Sequence, residues 1–367
     1  MNEEIDAKLL LKYEIIQKIG KGGFGVVWKA IDLELNKLVI LKKIFGAFHT
    51  DSDSQRTYRE IFILREFNHH SNIINLLRIY ISSNEKDVYL IFEYMETDLH
   101  AVLIARVLDE NQRKFIFYQI LKTLKYIHSA NVIHRDIKPS NIFINRDCKI
   151  KIGDFGLART VRADDSSNSM EPIMTDNIAT RWYRPPEILL ASKNYNKMAD
   201  IWSVGCVLAE MVTSKVLFPG SSSLNQIERI LEFTGLPNKQ EELTNMNSEI
   251  FDVFLNNLQH IKKKNLNYYF PVGNEDAIDL VVKMVCFNPK DRIKIEDALN
   301  HKYFREFRKE EEEIVSFDGL VMGIDDSLKL ASSTYKEAIY EMMTSKNKKV
   351  KNYRKDEEKS KKLKKQF

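Results

Sequence analysis

Cysteine is scarce in this chain: only Cys148, Cys206 and Cys286 occur among 367 residues. Three scattered thiols exclude a disulfide framework, and the chain has no CxxC pair that would hold zinc. The eight histidines show no zinc-ligand spacing either. No apolar run is long enough to cross a bilayer, and residues 1–11 lack the basic lead and cleavage site of a signal peptide. We therefore expect a protein without a membrane span, located in the cytoplasm, the nucleus or both.

Charge is distributed unevenly along the chain. The formal net charge is +4, yet residues 346–367 contain eleven basic and three acidic residues, so the rest of the chain is mildly acidic. Hydrophobic residues at 44% and charged residues at 29% are ordinary for a folded globular protein. The length predicts two domains or one large bilobal domain. We interpret residues 346–367 as a basic, disordered, solubilising tail, with nuclear import or contact with nucleic acid or acidic membranes as alternatives.

The hydrophobic pattern changes about a quarter of the way along the chain. Residues 13–92 are mostly strand-like, with β-branched residues and glycine punctuation, interrupted by one helical pattern over residues 55–67. Helical periodicity then dominates, most clearly over residues 112–129 and 198–212. Polar residues 162–177 predict an exposed loop. The sequence thus predicts an α+β protein with a small β-rich N-terminal lobe and a large α-helical C-terminal lobe.

A glycine-rich motif, GKGGFG, spans residues 20–25. Its glycines would let backbone amides approach phosphate oxygens, since no Cβ stands in the way. A dinucleotide-binding fold would follow this motif with a helix, whereas Val26, Val27 and Trp28 favour a strand, and no GxxxxGKS or GxxxxGKT loop occurs. The motif predicts a strand-turn-strand flap over a nucleotide. Taken alone, it would equally describe an ordinary tight hairpin.

A lysine and a glutamate follow the glycine motif in an informative order. Lys42 ends the strand-like VILK, and Glu60 lies on the predicted helix after it. Glu60 could pair with the Lys42 ammonium and direct it at the α and β phosphates of a nucleotide. Either residue alone would be read as a solvated surface charge, but this spacing downstream of the glycines favours a phosphate-binding pair.

Two carboxylates carry most of the chemical information. Asp136 lies in HRDIKPSN, residues 134–141, and Asp154 begins DFG. Asp136 could accept the proton of a substrate hydroxyl, and Lys138 could neutralise charge growing on the transferred group. Asn141 and Asp154 could hold Mg²⁺ on the phosphates of ATP. Each motif alone could be a surface turn, but their coincidence predicts phosphoryl transfer.

Residues 13–304 resemble a eukaryotic protein kinase catalytic domain, on these motifs and on RWYRPPE at residues 181–187 and Asp200 in DIWSVGC. The resemblance implies a bilobal fold with an N-lobe over 13–92 and a C-lobe over 96–304, and an ion pair between Arg292 and Glu187. It also implies an extension, 305–345, packed on the kinase. The DxKPxN pattern resembles the serine/threonine class. A small-molecule or lipid kinase is disfavoured, because residues 181–187 shape a peptide groove in the family.

Finer motifs at residues 95–99, 179–184 and 335–340 are typical of mitogen-activated protein kinases, and KIFGAF at 43–48 is most similar to their atypical, self-activating extracellular-signal-regulated branch. The resemblance implies phosphorylation of Ser or Thr followed by Pro in protein substrates. It also implies a monomer that needs no nucleic acid. The ATP-binding residues that it implies are Ile19, Gly20, Lys21, Gly22, Gly23, Phe24, Gly25, Val26, Val27, Ile40, Lys42, Phe92, Glu93, Met95 and Phe143.

An acidic patch, formed by residues 310–313 or 325–326, could dock basic motifs of partner proteins. It could equally be a merely solvated face.

The chain departs from the family pattern at two places. Thr175-Asp176-Asn177 replaces Thr-x-Tyr, so we expect either activation by phosphate on Thr175 alone, through autophosphorylation, or dependence on other contacts. Carried over from the family, that phosphate would meet Arg59, Arg135 and Arg159. Ile40 replaces the alanine that usually lies over adenine, so we expect weaker ATP binding than in relatives. A catalytically impaired, nucleotide-binding scaffold is the alternative, disfavoured because every chemical residue is intact.

Overall fold

The structure, a computed structural model, describes residues 3–22, 25–161, 181–190, 196–237, 258, 260–316, 319–326 and 328–344. The chain forms two compact units. The first contains Met1–Asn68, Asn75–Tyr94 and Leu328–Phe367, and the second contains His69–Ile74 and Met95–Ser327. Over the described residues, no helix has both the length and the apolar character needed to traverse a bilayer.

A five-stranded antiparallel sheet, ordered β1-β2-β3-β5-β4, forms the centre of the first unit. Along β3, Val39 and Leu41 are buried in the core while Ile40 and Lys42 alternate with them on the other face, as the two-residue period of a strand requires. The predicted strand-rich lobe is therefore confirmed. The strands are β1 (Tyr13–Gly22), β2 (Gly25–Asp32), β3 (Lys37–Ile44), β4 (Leu76–Ile81) and β5 (Val88–Glu93).

The described residues of the first unit also form three α-helices: α1 (Ala7–Leu10), α2 (Asp51–Glu66) and, from the C-terminal part of the chain, α11 (Ser332–Thr344). Helix α2 begins four residues before its predicted start, because the Thr50 side chain accepts a hydrogen bond from the Asp53 amide and caps the helix. Its first turn consists of polar residues, so no apolar periodicity marked it. Helix α11 packs along α2.

The second unit is mainly helical. Helix α4 begins with a capping box, in which the side chains of Asp109 and Gln112 each accept a bond from the other residue's amide. Helix α6 is buried from Ala199 to Met211. Its Gly205 is required, since a Cβ there would lie 2.7 Å from Val285 Cγ2 and 2.8 Å from Met284 Cβ on the neighbouring helix α9. Where the structure describes this unit, its α-helices are α3 (Leu99–Ala105), α4 (Glu110–Ser129), α5 (Pro186–Leu189), α6 (Met198–Thr213), α7 (Ser223–Thr234), α8 (Leu266–Tyr269), α9 (Glu275–Met284) and α10 (Ile295–Leu299).

Two small sheets in the second unit carry the loops of chemical interest. Strand β8 pairs with β6 and β9, and β10 pairs with β7. The predicted helices over 112–129 and 198–212 are confirmed within two residues at each end, whereas the loop predicted over 162–177 lies outside the described residues. The strands are β6 (Thr97–Asp98), β7 (Val132–Ile133), β8 (Ile142–Ile144), β9 (Ile150–Ile152) and β10 (Arg159–Thr160).

A buried histidine should make stability depend on pH. Burial lowers the pKa of His70 from 6.5 to about 4, with Lys122 and Lys151 adding to the effect, and its ring stacks on Tyr126. The neutral ring therefore stabilises the fold above pH 6.5, and that contribution is lost as pH falls towards 4. We expect the free energy of unfolding to drop by about 3 kcal/mol across this range.

Chemical denaturation at a series of pH values would measure this slope. His70→Gln should flatten it, whereas His69→Gln, at the exposed neighbouring position, should leave it as in the unchanged chain. Parallel pH profiles for the unchanged chain and His70→Gln would contradict the assignment.

Candidate active site

The glycine motif forms the end of the hairpin between β1 and β2, where Gly22 pairs with Gly25. Gly25 is required by the fold, because a Cβ would lie 2.0 Å from the Lys43 carbonyl oxygen. A Cβ at Gly22 would meet no atom within 4 Å, so this position is open. The strand that follows the glycines confirms the flap-like hairpin and excludes a dinucleotide-binding turn. Gly23 and Phe24 lie outside the described residues.

One face of the sheet gathers several of the residues assigned to ATP. Val27 and Lys42 are direct cross-strand neighbours, and Ile40 is paired with Phe92 on β5. Val26 alternates with Val27 and is fully buried on the opposite face, so only its backbone is available on the assigned face. The remaining assigned residues lie at exposed β1 positions (Ile19, Lys21), at a half-buried one (Gly20), at the end of β5 (Glu93) or in the second unit (Met95, Phe143).

The predicted lysine-glutamate pair is formed within the first unit. Lys42 Nζ lies 2.6 Å from Glu60 Oε1, with the glutamate side chain 5% exposed and the lysine side chain 27% exposed. A carboxylate buried to this extent requires such a partner, because an uncompensated charge is costly away from water. The ion pair fixes the Lys42 ammonium near the end of β3, with part of the lysine side chain accessible.

In the second unit, three predicted residues meet around one carboxylate. Lys138 Nζ donates to Asp136 Oδ2 at 2.7 Å, and Asn141 Nδ2 donates to the same oxygen at 3.0 Å and to the Asp136 carbonyl at 2.8 Å. Burial raises the pKa of Asp136; Lys138 opposes the shift and the negative charge of Asp154 adds to it. The two acids, eighteen residues apart in sequence, are therefore close enough to interact electrostatically.

A fully buried aspartate holds the loop that carries Asp136. Asp200 accepts hydrogen bonds from the amides of His134 and Arg135, both at 2.9 Å, and contacts His128 Nε2 at 2.9 Å. Burial alone would raise the pKa of Asp200, but His128 and these amide donors hold it below its ordinary value. Arg135 has φ +68°, a left-handed conformation that costs a non-glycine residue about 1–2 kcal/mol. The amide bonds to Asp200 offset that cost.

Asp154 is placed by the strand before it and the turn after it. It has φ +63° and precedes a 3-10 turn at Phe155–Leu157, where Phe155 is fully buried. His134 Nε2 lies 3.1 Å from the Gly153 carbonyl and its ring packs on Phe155, which links the two acidic motifs. His134 and Asp200 both position the loop that carries Asp136, a role that the sequence alone did not assign to them. The only indication in the sequence was their place inside the HRD and DIWSVGC motifs.

These side chains suit magnesium. Mg²⁺ prefers carboxylate and amide oxygens. Asp154 could supply a carboxylate oxygen, and Asn141 could supply its amide oxygen Oδ1, because the amide nitrogen Nδ2 points at Asp136. Among the described residues no cluster of three or more His, Cys, Asp and Glu side chains could hold a metal by itself. A magnesium ion here would take its other oxygen ligands from water and from nucleotide phosphates, as Mg²⁺ commonly does.

The three arginines assigned to a phosphate are divided between the units. Arg59 is buried on α2 in the first unit, whereas Arg135 and Arg159 belong to the second. The Nε atom of Arg159 lies 3.6 Å from Oδ2 of Asp326. Thr175, the assigned phosphorylation site, lies outside the described residues.

The acidic residues considered for docking are largely engaged within the chain. Glu313 is buried and bonded to Lys125 at 2.8 Å and to Arg308 at 3.0 Å, and Glu312 pairs with Lys122. The expectation that all of residues 310–313 could form an open acidic patch is therefore wrong for Glu313, because folding pairs its carboxylate with Lys125, which is distant in sequence, and with the nearby Arg308.

The segment Arg181–Glu187 ends in a buried ion pair, as predicted. Arg292 Nη1 and Nη2 each lie 2.7 Å from an oxygen of Glu187. This bidentate ion pair fixes the first turn of α5, where the segment ends. In protein kinases, which this sequence resembles, the segment shapes a peptide groove.

On this fold, the chain combines a glycine-rich hairpin, a Lys-Glu ion pair, and the HRD and DFG motifs. This combination defines a protein kinase, and comparisons with known proteins agree. The family described as "Protein kinase domain" matches residues 13–304. The chain is 45% identical to extracellular signal-regulated kinase 2 of Dictyostelium discoideum over 95% of this chain and 94% of that protein. It is 44% and 40% identical to mitogen-activated protein kinase 15 of Xenopus laevis and of Rattus norvegicus, over 93% of this chain in both cases and over 58% and 62% of those longer proteins.

The chain therefore belongs to the protein kinase family, on the atypical extracellular-signal-regulated branch of the mitogen-activated protein kinases. It is a serine/threonine protein kinase, and the family acts on protein substrates.

Proposed function

We propose that the chain transfers the γ-phosphate of ATP to Ser or Thr residues followed by Pro in protein substrates. The observation that carries the proposed phosphate transfer is the buried Asp136 carboxylate, held by both Lys138 and Asn141. The proposed preference for Pro is supported by the similarity to mitogen-activated protein kinases. In this geometry Asp136 orients the attacking hydroxyl and receives its proton while Lys138 balances charge on the transferred group. Losing such a group should cost orders of magnitude in rate, because the reaction depends on positioning and electrostatics.

The proposed cofactors are ATP and Mg²⁺. Lys42, oriented by Glu60, would contact the α and β phosphates, and the open glycine positions would let backbone amides approach them. Asn141 and Asp154 would hold the magnesium ion, which supplies charge neutralisation on the phosphates. We further propose a monomer in the cytoplasm or nucleus, with domain limits at 13–304 and a basic tail over 346–367.

The test is phosphate transfer by the full chain to a peptide containing Ser-Pro, compared with the same peptide containing Ser-Ala. Transfer to Ser-Pro alone, abolished in Asp154→Asn, is the expected result. Equal transfer to both peptides would overturn proline direction while leaving the kinase activity. Equal, negligible transfer by the unchanged chain and Asp154→Asn would instead favour the scaffold alternative.

We propose that phosphate on Thr175 alone activates the enzyme and that the chain adds it to itself. Charge-assisted bonds to the assigned arginines are worth about 1.5–3 kcal/mol each before ordering costs, enough to order a loop. Thr175→Ala should therefore lower kcat/KM about tenfold or more. Mass spectrometry of protein made without any other kinase should find Thr175 phosphorylated in the unchanged chain and unmodified in Asp154→Asn. Full activity with Thr175 unmodified would rule this out.

Ile40 is proposed to weaken ATP binding. Its half-buried side chain lies on the face of β3 that carries Lys42, beside Phe92. Relieving about 1–3 kcal/mol of crowding should lower the ATP Kd of Ile40→Ala about fivefold or more. Isothermal titration calorimetry would measure this, with Ile16→Ala, at an exposed β1 position, as the control. An unchanged or higher Kd for Ile40→Ala would count against the assignment.

A further inference from the structure

The C-terminal helix α11 contacts the middle of α2 through a pair of buried tyrosines. The rings of Tyr335 and Tyr58 have centroids 5.7 Å apart, and the two residues are 1% and 3% exposed. Tyr58 precedes Glu60 by two residues, which in a helix of 3.6 residues per turn places their side chains about 200° apart. Helix α2 thus presents Glu60 to Lys42 from one side while Tyr335 supports it from nearly the opposite side.

Both ends of α2 are tied to α11 as well. At the N-terminal end, Ser332 donates its amide to Asp51 Oδ1 at 2.8 Å and its hydroxyl to the Phe48 carbonyl at 2.9 Å. At the C-terminal end, Arg65 Nη1 donates to the Met342 carbonyl at 2.6 Å. Contacts at the start, middle and end of a sixteen-residue helix resist both its translation and its rotation about its axis.

The Tyr335 ring is itself fixed. Its hydroxyl donates to the Leu328 carbonyl at 2.9 Å, and Gln55 of α2 donates to the same carbonyl at 3.1 Å. Helices α2 and α11, which are far apart in sequence, thus share the Leu328 carbonyl as a hydrogen-bond acceptor. A buried aromatic ring with its hydroxyl bonded has little freedom to move, so it forms a rigid support rather than a loose filler.

We propose that Tyr335 is a positioning residue for catalysis: it supports α2 so that Glu60 holds Lys42 at the orientation needed for the ATP phosphates. The inference rests on the proposed role of the Lys42–Glu60 pair. It assigns to the C-terminal helix a contribution to the kinase reaction through the first unit, where both the pair and the helix lie.

Kinetics of Tyr335→Ala would test the proposal, with Tyr335→Phe as the conservative variant and Tyr340→Ala as the matched control. Tyr340 is on the same helix but 39% exposed. We expect kcat/KM for ATP to fall about tenfold in Tyr335→Ala, to recover to within about threefold in Tyr335→Phe, which retains the ring, and to stay within about twofold in Tyr340→Ala. Thermal unfolding of each variant would show that the measured protein is folded at the assay temperature.

A double-mutant cycle with Glu60→Gln separates positioning from general destabilisation. If Tyr335 acts through Glu60, adding Tyr335→Ala to Glu60→Gln should lower kcat/KM by less than about twofold more. A second full tenfold loss in the double variant, or no loss in Tyr335→Ala alone, would overturn the inference. An unchanged chain without kinase activity would instead refute the proposed function, so the two failures are distinguishable.

Discussion

Asp136→Asn is expected to lower kcat for phosphate transfer to a Ser-Pro peptide by about a thousandfold or more. Asparagine preserves the shape of the side chain but supplies no negative charge to orient the hydroxyl or accept its proton. Lys138, now 2.7 Å from the Asp136 oxygen, would lose its partner as well. Steady-state kinetics with saturating ATP would measure the loss. ATP binding should persist, because Asp136 makes its contacts with Lys138 and Asn141 rather than with the assigned phosphate-binding pair.

The pH dependence of the reaction rate of the unchanged enzyme provides a second test of the role of Asp136. Because the ionised carboxylate is the active form, the rate should fall as pH decreases through the pKa of Asp136. Burial raises that pKa, so the loss should begin at a higher pH than for an ordinary aspartate. Lys138 opposes the shift, so Lys138→Met should move the acidic limb to still higher pH. Identical acidic limbs in Lys138→Met and the unchanged enzyme would refute this electrostatic coupling.

Local chemistry explains which features the sequence could predict. The glycine hairpin, Lys42, Asp136 and Asp154 occur in short motifs whose backbone and charge requirements are largely local. Strand β3 likewise follows from a short apolar run with β-branched residues, Leu38 to Leu41, which favours a strand. The fold class and the candidate chemical residues could therefore be assigned from residues 13–156 before any coordinates.

Long-range packing explains what the sequence could not predict. The buried state of Glu313 depends on Lys125, 188 positions away. Tyr335 meets Tyr58 across an even longer separation, and no local pattern distinguishes that tyrosine from the exposed Tyr340 on the same helix. Val26 lies between these two cases. The glycine motif assigned it to the ATP site, but the pairing register of β2 places its side chain in the core.

Arg292→Met should destabilise the fold by about 3–5 kcal/mol. The Arg292 side chain is fully buried, and its three nitrogens donate five hydrogen bonds: two to the Glu187 carboxylate and one each to the carbonyls of Cys286, Phe287 and Met198. Its guanidinium also lies over the Trp202 ring at 5.0 Å. Methionine can fill much of the volume but leaves the Glu187 carboxylate buried without a counter-charge.

Chemical denaturation of three variants would decide whether charge or volume is responsible. Arg292→Met combined with Glu187→Gln removes both charges and should recover a substantial part of the loss, since replacing a buried pair costs less than breaking it. Arg146→Met provides the matched control: Arg146 is 93% exposed and lies 3.4 Å from Glu96, so its removal should cost less than about 1 kcal/mol. If the double variant were as unstable as the sum of the single substitutions, lost packing around the arginine, and not the unpaired carboxylate, would be the cause.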